Sequence, residues 1–191
     1  HRVGDPAAQV PDPVVGEQRL LVLVDLKAGR SLGASNIAKA KVRDLSWIGE
    51  DLVLITTSAT ETLPELGIFR RELSLGQIFD PARQRITTLL GADQDLFPAL
   101  LGPTDVVATA TGPGVLVRAH SFRNPRGRSL YRVDPVSGRV RQAEYMSRDV
   151  DDYVLDPAGQ SVARSEYDEL SKAWSLHLRQ GGAFREVWRT T

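Results

Sequence analysis

The chain contains no cysteine, so disulfide staples and thiolate metal sites are excluded. That absence leaves the compartment open, because many proteins of oxidising compartments also lack cysteine. Charge of one sign is missing too: 24 Lys+Arg balance 24 Asp+Glu, a formal net charge of zero. A surface built for nucleic acid or an anionic membrane carries a basic excess, so the reading is that neither is a partner. No apolar run approaches the roughly 20 residues of a membrane span. The longest, residues 20–24, is the size of a strand. Histidine occurs three times, at His1, His120 and His177, and no pair has the spacing of a zinc motif. Helical periodicity is scarce. Only residues 64–72 and 93–101 carry a hint of it, and both read as loops.

What remains is short strand-like runs rich in Val, Leu, Ile and Thr, separated by turns with Gly or Pro. One unit recurs: an apolar strand, an aspartate, a short turn and a returning strand. It appears as Leu21-Val22-Leu23-Val24-Asp25 before Arg30, as Gln77-Ile78-Phe79-Asp80 before Arg85, and as Leu130-Tyr131-Arg132-Val133-Asp134 before Arg139. The three aspartates are spaced by 55 and then 54 residues. The carboxylate can accept turn amides, Pro presets φ, and Gly permits positive φ. A degenerate fourth copy runs Trp174-Ser175-Leu176-His177-Leu178, then residues 179–182, then residues 184–188.

A second kind of hairpin lies between these units. Its copies are residues 41–57 around the turn 48–51, residues 105–120 around Thr111-Gly112-Pro113-Gly114, and residues 150–166 around Asp156-Pro157-Ala158-Gly159. Two alternating hairpins per repeat make a four-stranded antiparallel unit, the signature of a propeller blade. The expected fold is therefore all-β, a partial β-propeller of about three to four four-stranded antiparallel blades. The whole of 1–191 reads as one domain. Within it, 19–40 supplies an outer hairpin of a first blade, and 41–90, 104–142 and 149–189 supply further blades. Residues 1–18 read as a strand end, His1-Arg2-Val3, followed by a loop, the chain beginning inside a blade. Open sheet edges template association, so self-association is expected.

Residues 42–52 (Val-Arg-Asp-Leu-Ser-Trp-Ile-Gly-Glu-Asp-Leu), residues 130–134 with Ser137-Gly138-Arg139, residues 154–164 and Trp174-Ser175-Leu176 together resemble the N-terminal propeller of bacterial peptidases of the prolyl oligopeptidase family. The resemblance covers most of residues 19–189 and implies a non-catalytic propeller that gates or positions peptide substrate for an α/β-hydrolase serine peptidase domain. It implies the periplasm or the cell exterior as compartment, with the cytoplasm still open. It implies no cofactor. The family's nucleophile sits on a Gly-x-Ser-x-Gly elbow, which this sequence lacks. Gly33-Ala34-Ser35-Asn36 is the nearest approach and has no second glycine. No catalytic, cofactor-binding or metal residue is therefore assigned, and the binding residues stay unassigned. The rival expectation is a freestanding binding module for a protein or carbohydrate partner.

Other polar clusters read as structure. His120 and His177 alternate with apolar neighbours, as residues on a strand face do. Asp93-Gln94-Asp95 and Asp149-Val150-Asp151-Asp152 lack the ligand pattern of a calcium loop and read as solvated turn carboxylates. Arg118, Arg123, Arg126, Arg128 and Arg132 read as a long exposed loop between two hairpins, a place where an anion or partner could be held. Trp47, Trp174 and Trp188 read as aromatics packed between blades.

Overall fold

Fourteen strands account for the regular structure of a computed structural model that describes residues 19–38, 40–63, 68–109, 112–145 and 149–191. The first hairpin is β1 (Arg19–Asp25) and β2 (Arg30–Ala38). Three four-stranded antiparallel sheets follow, each a simple meander. The first is β3 (Lys41–Ile48), β4 (Leu52–Leu63), β5 (Ile68–Asp80) and β6 (Arg85–Thr88). The second is β7 (Asp105–Thr109), β8 (Gly112–Ser121), β9 (Asn124–Val133) and β10 (Val140–Tyr145). The third is β11 (Val150–Leu155), β12 (Ser161–Asp168), β13 (Ala173–Gln180) and β14 (Ala183–Thr190).

Turn chemistry explains where these strands reverse. The Asp25 Oδ1 accepts the amides of Lys27 and Ala28 at 2.9 and 3.0 Å. The Asp80 Oδ1 accepts the Arg83 amide at 3.0 Å, and the Asp134 Oδ1 accepts those of Val136 and Ser137 at 2.9 and 2.8 Å. Four residues beyond each aspartate the backbone turns left-handed, at Gly29, Gln84 and Gly138 (φ 60°, 51° and 71°). Asp168 closes the β12–β13 turn in the same way, with Lys172 left-handed. The β13–β14 connection has no such aspartate because Gly181-Gly182, both at positive φ, make a two-residue turn between paired Gln180 and Ala183. Glycine pairs suit that geometry, which matches the twist of the flanking strands.

The hairpin and the three sheets stack face to face in chain order. Leu21 and Leu23 of β1 pack on Val53, Ile55 and Phe79. On the other face of the same sheet, Leu54 and Ile78 join Val115, Val117, Tyr131 and Val133 of the second sheet. The second sheet's opposite face then sets Val107, Leu116 and Leu130 against Val150 and Tyr153 of the third. Neighbouring residues of β4 and β8 therefore enter different cores, and β8 is buried on both faces from Val115 to Ala119. Each fully buried Val, Leu or Ile contributes about 1.5–3 kcal/mol, so the stacking supplies the main favourable term. The architecture is an all-β, partial β-propeller type of fold whose sheets form an open series.

Several elements differ from the sequence reading. Residues 68–72 belong to β5, where Glu72 and Arg71 pair with Thr60 and Glu61 of β4; polar alternation disguised the strand. Residues 64–67 lie outside the described residues. Gly112, Pro113 and Gly114 are strand, opposite Thr109, Ala108 and Val107. Pro113 is tolerated because β9 first pairs with β8 at Val115, so no second neighbour calls on the donor that proline lacks. The arginine-rich stretch is no long loop: β8 and β9 are separated only by Phe122 and Arg123. Residues 93–101 are a loop, and they stitch two sheets together. Leu100 N donates to Ser74 O at 2.7 Å, and Leu101 N to Arg118 O at 2.9 Å. Residues 1–18, His1 among them, lie outside the described residues.

Candidate functional site

Of the polar groups that the sequence places on the surface, Arg118 is drawn into a joint between two sheets, whereas Arg123, Arg128, Asp95 and Asp151 remain exposed. Arg118, on β8, has a side chain only 6% exposed. Its Nη1 donates to Asp105 Oδ2 at 2.9 Å and to Pro103 O at 2.9 Å, and Nη2 donates to Tyr153 O at 3.1 Å. Its Nε bonds Asp152. One guanidinium thus binds its own sheet and the next. Burial disfavours the charge, yet the hydrogen bonds to Asp105 and Asp152 outweigh it and raise the Arg118 pKa.

A second joint involves Glu144 of β10, which is bonded by Arg179 of β13 and by Ser161 of β12. The Arg179 Nε also donates to Ser161 O at 2.7 Å, and its guanidinium lies 4.4 Å over the Phe184 ring. A third cluster lies within the first sheet. Ser58 Oγ donates to Glu72 Oε1 at 2.7 Å, Arg43 Nε donates to Ser58 Oγ at 2.7 Å, and Arg43 also bonds Glu72 directly. Glu144, Arg179 and Glu72 escaped the sequence reading. Their partners lie 14–35 residues away, and no local motif links them.

The Ser58 and Arg43 hydrogen bonds hold the Glu72 carboxyl at about 2, against its usual 4.5. A depressed folded-state value means stability that is present above the unfolded value and lost as pH falls through the folded one. Comparing Glu72→Gln with the parent by urea denaturation at pH 6 and pH 2.5, we expect the parent's advantage at pH 6 to shrink at the lower pH. A gap of equal size at both would show that the carboxylate charge does not stabilise this sheet.

The histidines and acidic clusters resolve similarly. His177 Nε2 lies 3.0 Å from Ser175 Oγ and 3.3 Å from Glu166 Oε2. Both partners sit on one ring nitrogen, and a serine–histidine–acid relay needs the two nitrogens to serve different partners. Ser175 is also buried, at 3% exposure. His120, half-buried on β8, accepts the Phe97 amide on its carbonyl at 3.0 Å. Asp95 is bidentate with Arg123, and Asp151 lies 3.7 Å from Arg128. Each cluster is therefore matched to arginine. Among the described residues no group of three His, Asp or Glu gathers as a metal site. Gly33-Ala34-Ser35-Asn36 runs through β2, and the side chains of Ser35 and Arg126 lie outside those described.

The tryptophans do not pack between sheets as the sequence reading had them. Trp47 is 54% exposed and Trp188 49%. The register explains Trp188: Leu178 and Val154 pair through Ala163, Trp174 pairs with Tyr167, and Trp188 pairs with Leu176. All of these lie on the face of the third sheet opposite Tyr153, which points into the preceding core. Trp174 and Trp188 meet edge to face at 5.3 Å. The result is an open aromatic and apolar face on the last sheet. Among the described residues no helix is long and apolar enough to cross a membrane. Comparison with protein-family models, with curated proteins and with solved structures returns no match.

Proposed function

We propose that this chain is the non-catalytic propeller portion of a serine peptidase of the prolyl oligopeptidase type, and that it gates or positions peptide substrate for an α/β-hydrolase domain. The observation that carries this reading is the serial stacking of four-stranded meanders, in which each sheet buries one face on the sheet before it. Such a stack makes a rigid wall, and the turns along its rim are free to touch a substrate or a neighbouring domain. The reading implies an extracytoplasmic compartment and no cofactor.

Labelling of the native full-length protein and of residues 1–191 with a fluorophosphonate, alongside a peptide-cleavage assay, tests it. Reaction of the full-length protein alone is expected. If neither reacts, the freestanding binding module takes precedence. That second reading is favoured by the open Trp174–Trp188 face, since edge-to-face aromatic surfaces are recurrent elements of protein and carbohydrate recognition.

A further inference from the structure

Arg132 on β9 stands directly opposite Arg141 on β10. Like charges in that relation are destabilising, and a nearby carboxylate would normally relieve them. None does so here. Among the described residues Arg132 reaches only Gly159 O, at 3.4 Å, and Arg139, two residues before Arg141 and lining the same hollow, completes a group of three guanidinium-bearing side chains. Among the described residues none of the three forms an ion pair.

Two adjoining hollows share Arg132 and Arg141. One continues to Arg139 over Gly114, and the other runs to the Gly159–Ser161 segment of the third sheet. Two carboxylates line these hollows, Asp134 the first and Glu144 the second, and each is engaged by other donors. Asp134 accepts the Ser137 and Val136 amides, which with the charge of Arg139 lower its pKa, and Glu144 is bound by Arg179 and Ser161.

We propose that these two hollows, one lined by the second sheet alone and one between it and the third, bind an oxyanion, the phosphate or carboxylate group of a small ligand. Guanidinium forks match both groups in bidentate geometry, and a bound anion removes the repulsion between Arg132 and Arg141. By sequence Arg132 groups with residues of the β8–β9 hairpin. Its working neighbours are Arg139 and Arg141, brought alongside by strand pairing.

The test follows the arginine Nε–H signals of the 191-residue chain by NMR while inorganic phosphate or succinate is added at constant ionic strength. Melting temperature is recorded in parallel, because a ligand bound only by the folded state raises it. Saturable shifts confined to Arg132, Arg139 and Arg141 are expected, with a rise in melting temperature. Saturation by phosphate alone assigns a phosphate ligand, and by succinate alone a carboxylate ligand. The Arg139→Gln/Arg141→Gln variant should bind at least tenfold more weakly, yet melt no lower than the parent at low salt. Arg141→Lys, which keeps the charge without the fork, should lie between. Linear shifts shared with the exposed Arg185, or a double glutamine variant that binds like the parent, would overturn the proposal.

Discussion

Replacing Arg118 with methionine is expected to destabilise the chain by about 2–4 kcal/mol, less than the full cost of breaking a buried ion pair because Asp105 and Asp152 are 39% and 43% exposed and partly rehydrate. The figure follows from what the substitution leaves behind. Arg118 satisfies Asp105, Asp152, Pro103 O and Tyr153 O at once. Methionine fills much of the volume but donates to none of them, so two carboxylates lose their shared cation and two carbonyls lose their donor. Lysine in its place keeps the charge and three donors but not the planar fork, and an intermediate loss is expected. The pair logic predicts a reversal: Arg118→Met combined with Asp105→Asn and Asp152→Asn should recover part of the loss, because the uncompensated charges are gone. Urea midpoints for the single, double and triple variants measure these couplings. A loss below about 1 kcal/mol for Arg118→Met would mean that the carboxylates rehydrate freely and the joint is only a surface ion pair.

Arg118 also marks the boundary of what is legible in the sequence. The turns were legible because their chemistry is local. An aspartate accepting amides two and three residues on leaves a fixed signature, and Asp25, Asp80 and Asp134 all behave so. The strand runs were legible from their β-branched content, which gave the fold class. Positions where an ordinary side chain adopts the turn's left-handed conformation, Gln84 and Lys172, hid part of that signal. Burial was not legible for the same reason that Arg118 was missed. Alternation predicts one wet face per strand, but serial stacking buries both faces of β8, and a charged residue survives there only through carboxylates on β7 and β11. Those partners are 13 and 34 residues away. Trp188 shows the converse case: a large aromatic suggests a core position, yet it stands on the face that no described element covers.

The same joint between the second and third sheets yields the other large effect, at Gly159. This residue ends the Asp156 turn, whose carboxylate accepts the Ala158 and Gln160 amides at 2.9 and 2.8 Å. Its φ is +75°, and a Cβ there would meet Leu116 Cδ1 at 2.8 Å and both Val107 methyls at 3.1 Å. Two costs therefore act together on Gly159→Ala. The left-handed conformation disfavours any Cβ by about 1–2 kcal/mol, and an extra methyl forced into a packed joint costs about 1–3 kcal/mol. A loss of about 2–4 kcal/mol is expected, large for adding one carbon at a turn. The two parts can be separated. At Gly29, with φ +60° and nothing within 4 Å of the added atom, Gly29→Ala meets only the conformational cost, so the difference between the two variants isolates the steric one. Leu116→Val, which withdraws the nearest methyl, should make Gly159→Ala less costly in its background than in the parent. Equal losses at Gly29 and Gly159 would show that the third sheet yields to the new methyl, and hence that the joint beside the arginine cleft is looser than its packing implies.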